Sequence, residues 1–120
     1  MEESILTSIK KLLGIMEEYE QFDTDLIIHI NSVFSILNQL GVGPVDGFSI
    51  GDEKSVWSDF ITDEKRLELI KSYTYLKVKL LFDPPLSSAV IESITRMTTE
   101  LEWRINITAD SVEKEKNQNG

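Results

Sequence analysis

Residues 41–60 read GVGPVDGFSIGDEKSVWSDF. Whether this stretch is a loop, an arm or part of a core decides how the rest of the chain folds. Gly41, Gly43, Pro44, Gly47 and Gly51 punctuate it, yet it also carries Phe48, Ile50, Val56, Trp57 and Phe60. Glycine and proline at this density oppose a helix, the first through backbone freedom and the second through a missing donor. Unstructured loops this long are uncommon in compact domains and are often functional. Within the stretch, FSI and SVW alternate apolar and polar residues on either side of the turn GDEK, the pattern of a β-hairpin. Segment 41–61 is therefore expected to be a long loop or hairpin arm. Its apolar side chains either fold back over the core or reach into another subunit. The second reading makes Phe48, Ile50, Val56, Trp57 and Phe60 candidate protein-interface residues.

On both sides of this segment the spacing is helical. Ile5, Leu6, Ile9, Leu12 and Leu13 form one face of a short helix that ends at Gly14. Residues 15–22, IMEEYEQF, fit a continuation, a helical turn or a linker. Asp23 or Thr24 caps a second helix with Leu26, Ile30, Val33, Leu37 and Leu40 on one face, closed by Gly41. Thr62, Asp63 and Glu64 open a third, which should be the central one. Asp83-Pro84-Pro85 halts it, because two prolines remove donors and push Asp83 out of helical dihedrals. Ser87 or Ser88 caps the last helix, with Val90, Ile91, Ile94, Met97, Leu101 and Ile105 as its stripe. The fold class expected is all-α: a small antiparallel bundle of about four helices with the arm between the second and third. Residues 1–108 form one domain, and 109–120, polar and low in bulk, are expected to be a disordered tail.

Composition removes several classes of function. The chain has 120 residues, the size of one domain, and 41% of them are hydrophobic. No apolar run approaches the roughly 18–20 residues that cross a bilayer, so no membrane partner is expected. The start MEESILTSIKK puts acids where a secretory signal carries bases, so export is not expected, and the sequon at Asn106-Ile107-Thr108 carries no meaning. Without cysteine there is no disulfide, thiol nucleophile or zinc finger. The net charge of −9 argues against wrapping nucleic acid, whose phosphates are held by clustered Lys and Arg. That charge is uneven: residues 1–60 hold eleven acids and three bases, residues 61–120 ten acids and nine bases.

Catalytic chemistry finds little purchase. His29 is the only histidine, with Asp25 one turn before it, but no nucleophile or third partner is placed by spacing. GVGPVDG lacks the Lys-Ser/Thr ending of a phosphate loop, and no calcium-loop pattern occurs. No catalytic, cofactor or metal residue is therefore assigned, and no enzyme activity is expected. A partner surface is the better reading. Trp103 lies off the apolar stripe of the last helix, near Arg96 and Glu100 on a helical wheel. An indole among charges is either an interface anchor or a cover over a neighbouring helix. Arg96 and Trp103 complete the candidate interface set.

Several segments taken in order, LLGI, FDTDLIIHINSVFSILNQLGVGP, WSDF and YTYLKVKLLFDPPLSSAVIESITRMTTELEWRIN, resemble the head-tail connector, or adaptor, proteins of long-tailed bacteriophages and related prophages. The similarity covers nearly all of residues 5–106. It implies a ring beneath the portal protein that extends the DNA channel, joins head to tail and helps retain packaged DNA. The implied partners are other copies of the chain, the portal, and further neck or tail-completion proteins, with DNA passing through and no sequence-specific binding. The implied location is the virion neck, after synthesis in the host cytoplasm. Two surfaces per copy are needed for such a ring, because closed rings use heterologous contacts. The alternative is a soluble helical regulatory or antitoxin-like protein that binds one protein partner.

Overall fold

The computed structural model describes the backbone of residues 3–119 and the side chains of residues 3–107. Five helices follow one another: α1 Ile5–Leu12, α2 Asp23–Gln39, α3 Trp57–Phe60, α4 Glu64–Phe82 and α5 Ser88–Asn119. Among the described residues there is no strand, only an isolated bridge between Ser4 and Val56. The all-helical expectation holds. The tail expected at 109–120 lies outside the residues whose side chains are described.

Local chemistry sets each boundary. Ser4 caps α1 by accepting the Thr7 N–H at 2.9 Å, and Ile5, Leu6 and Ile9 turn inward. Gly14, at φ +81°, lets the chain leave the helix in a conformation costly for other residues. Asp63 caps α4 through the Lys65 N–H at 3.0 Å. The hydroxyl of Ser87 faces the Val90 N–H at 3.4 Å at the start of α5. At α2 the expectation of an Asp23 or Thr24 cap is corrected. Phe22 occupies the N-cap and supplies no side-chain bond, because the Asp23 carboxylate is drawn instead to the Lys10 ammonium at 2.9 Å.

Lys10 is 2% exposed, unusual for its type. Its three donors face three acceptors: the carboxylate of Asp23 and the carbonyls of Glu17 and Tyr19, at 2.9 and 2.6 Å. This ammonium fixes residues 15–22 as a turned linker beneath α1, settling the three options left by their spacing.

α4 packs against both α2 and α5, and α1 packs against α2. The central position expected for α4 is therefore observed. The core contains Leu26, Ile30, Val33, Phe34 and Leu37 of α2, Ile70, Tyr73 and Val78 of α4, and Ile105 of α5.

Segment 41–60 corrects two expectations. No hairpin forms, and its last four residues are helical. Ile50 does not pair with a facing strand; its N–H donates to Asn31 Oδ1 at 2.8 Å and its carbonyl accepts from Asn31 Nδ2 at 2.9 Å. Asn31, on α2, thus does for one residue, through its N–H and its C=O, what a neighbouring strand would do. The Ser55 carbonyl accepts the Ile5 N–H at 2.9 Å, tying the far limb to α1. Asp59 accepts the Val56 N–H at 3.0 Å, which starts α3 and points Trp57 and Phe60 the same way. Gly43 is required where it stands, since its φ is +85° and a Cβ would lie 2.5 Å from the Phe60 ring.

Two outcomes follow for urea unfolding. Trp57→Ala should lower stability by about 3–5 kcal/mol, as for other buried aromatics cut back to alanine. Asn31→Ala should cost about 1–3 kcal/mol by orphaning the Ile50 peptide, with earlier proteolysis inside 41–56 than in the wild type. A loss below a few tenths in either variant would contradict the packing described.

Candidate interaction surfaces

The predicted interface residues separate into two groups. Ile50, Trp57 and Phe60 are buried within the protomer, and Phe48 and Val56 are partly buried. Phe34 of α2 is the reason. Its ring stacks on Phe60 at 4.5 Å and meets Phe48 at 5.6 Å and Trp57 edge-on at 6.2 Å. The Trp57 Nε1–H donates to Ser8 Oγ at 2.9 Å, so even its polar edge is satisfied inside the chain. Lys71 lies 5.8 Å from the indole centroid and covers its outer side. The reading that these side chains are held for a neighbouring subunit is therefore corrected for Ile50, Trp57 and Phe60, which belong to this protomer's own core; Phe48 packs against that core, and Val56 stays partly buried outside it.

Arg96 and Trp103 behave differently. Both are exposed, Trp103 by 65%. The buried side of α5 is set by Ile94, Thr98 and Ile105. At 3.6 residues per turn Trp103 projects roughly 160° from that stripe, with Glu92, Arg96, Thr99 and Ile107 on the same outward side. Of the two options for Trp103, the cover over a neighbouring helix is not what the structure shows. Arg104 is paired with Glu100 one turn away at 2.7 Å.

The rotation of α5 is fixed from beneath. Glu102 accepts the Tyr73 hydroxyl at 2.7 Å and lies 3.8 Å from the Lys77 ammonium. Together with Ile105 in the core, this link between α4 and α5 holds Trp103 on the far side. Burial, and then the carboxylate of Glu102, push the Tyr73 hydroxyl well above its ordinary value of 10.0. On the opposite flank Lys11 is raised from its usual value by its hydrogen bond and charge pairing with Glu3.

A groove between α1 and α4, about 420 Å³ in volume, is lined by Leu12, Tyr75, Ser8, Ser72, Lys11, Lys71, Glu3 and Glu68. Spacing alone did not single it out. Leu12 belongs to the apolar face expected for the first helix, yet it is half exposed. His29 is partly buried with its ring 6.4 Å from Phe82, and Asp25 is exposed. Among the described residues no three of His, Cys, Asp and Glu cluster as a metal site would require. Among the described residues no helix is long and apolar enough to cross a membrane.

The family model described as Phage connector protein matches residues 5–112. Comparison with curated proteins and with solved structures gives no match.

Because the folded chain holds Tyr73 neutral beyond the pH at which an unfolded chain ionises it, its contribution is complete below about pH 10 and declines as pH rises further. Tyr73→Phe should lose about 1 kcal/mol at neutral pH and flatten the fall in urea midpoint above pH 10. An unchanged alkaline limb would show that Tyr73 does not carry that dependence.

Proposed function

The chain belongs to the phage connector protein family, and from that premise we propose that it is a structural protein of the virion neck. Copies of it form a closed ring beneath the portal, extend the DNA channel towards the tail and help keep the packaged genome in place. Its partners are its own copies, the portal protein, and further neck or tail-completion proteins. Synthesis takes place in the host cytoplasm, before assembly.

The observation that carries this reading is the outward face of α5. A protomer whose core is already complete still presents a tryptophan to solvent, flanked by Arg96 and Glu100. Large aromatic and arginine side chains on a rigid helix are the residue types that dominate protein interfaces. Charge supports the conduit part of the proposal. A net charge of −9 opposes adhesion to phosphates, so DNA slides past and is not gripped. Ring closure needs two different mutually fitting patches on each copy.

Mass photometry of the protein mixed with purified portal rings tests the proposal. The wild type should add a defined set of copies to each portal ring. Trp103→Ala should reduce that occupancy at least tenfold while leaving its urea midpoint within about 0.5 kcal/mol of wild type, as expected for an exposed side chain. A lone stoichiometric complex with some other protein, and none with the portal, would favour the regulatory alternative.

A further inference from the structure

We infer that the outward face of α5, centred on Trp103, docks into the groove between α1 and α4 of the next copy, and that this pairing is the repeating contact of the ring. The inference rests on the ring reading above and assigns its two surfaces.

The placement of the two patches is the first argument. Tyr73 and Lys77 reach Glu102 of α5, whereas Lys71 and Tyr75 line the groove. Along α4 these two pairs point roughly 160° apart. α5 and the groove therefore occupy opposite flanks of the same central helix. A head-to-tail ring needs that separation, while a two-fold dimer would bring one patch against itself.

Chemical match is the second argument. The groove's lining includes apolar surface from half-exposed Leu12 and from Tyr75, together with two lysines. An indole entering it buries its ring on Leu12 and Tyr75 and meets ammonium groups on its face, as Lys71 already does for Trp57 at 5.8 Å. Around Trp103 the signs alternate through Glu92, Arg96 and Glu100. The groove carries Lys11 and Lys71 together with Glu3 and Glu68. Glu92 of α5 meets Lys71 and Arg96 meets Glu68, while Glu100 and Lys11 exchange their exposed partners within each copy, Arg104 and Glu3, for one another. Charges in such an arrangement set register and exclude wrong pairings more than they add affinity.

The cysteine-free chain allows a direct test. Ser72→Cys marks the groove and Thr99→Cys marks the outward face of α5; both positions are exposed. Full-length variants are treated with a short bis-maleimide, with and without purified portal rings, and resolved on denaturing gels. The expected result is a dimer only when the two single variants are mixed, a ladder of multiples from the double variant, and loss of that ladder with Trp103→Ala. Dimers from either single variant alone would overturn the inference, since they report a patch meeting itself. Portal-bound rings seen by mass photometry without any ladder would overturn this pairing and leave the ring intact. Absence of both rings and ladder would overturn both.

Discussion

A single side-chain amide stands where a strand would otherwise be needed. A peptide group buried away from water must be paired, and the segment between α2 and α4 has no sheet to join. Asn31 donates to the Ile50 carbonyl and accepts the Ile50 N–H, pairing two successive peptide groups, and so holds the middle of the segment on α2. With that point anchored, Phe48, Trp57 and Phe60 gather around Phe34, one turn further along the same helix. The returning limb then reaches α1 through Ser55 and Ser8. These contacts add to the packing of α1 on α2.

What could be read beforehand was whatever depends on neighbours close in sequence. The apolar spacing of α2 and α5, the glycine exits at Gly14 and Gly41, and the Asp83-Pro84-Pro85 stop are all local. The outward position of Trp103 follows from its angle to Ile94 and Ile105, which spacing also provides. The misreadings involve partners distant along the chain. FSI and SVW carry strand-like alternation, but Ile50 finds its partner nineteen residues back, in a helix. Asp23 looks like a cap until Lys10 is brought against it. The aromatic residues of 41–60 looked available to a neighbour because nothing in their spacing announces Phe34 as their common contact.

These corrections change the kind of assembly envisaged. If the apolar groups of the long segment had been exposed, joining a ring would have entailed ordering a flexible arm, with its entropy cost. With the core members of that segment buried, the proposed ring would join preformed surfaces, a helix face and a groove, with little rearrangement. Specificity then rests on a small number of exposed side chains presented at a fixed angle. The Tyr73–Glu102–Lys77 link acquires its importance here, because it sets that angle from the far side of the helix.

The Lys10 ammonium gives the protein a built-in chemical witness. Reagents that acylate amines attack the free base at a solvent-open nitrogen. Lys10 is not open to solvent, since its nitrogen faces the carbonyls of Glu17 and Tyr19 and the carboxylate of Asp23. The other lysines among the described side chains are more open to solvent and would be acylated in the native protein. Acylation at position 10 would accumulate only through molecules that have opened, so its rate counts excursions of the α1 region out of the native state.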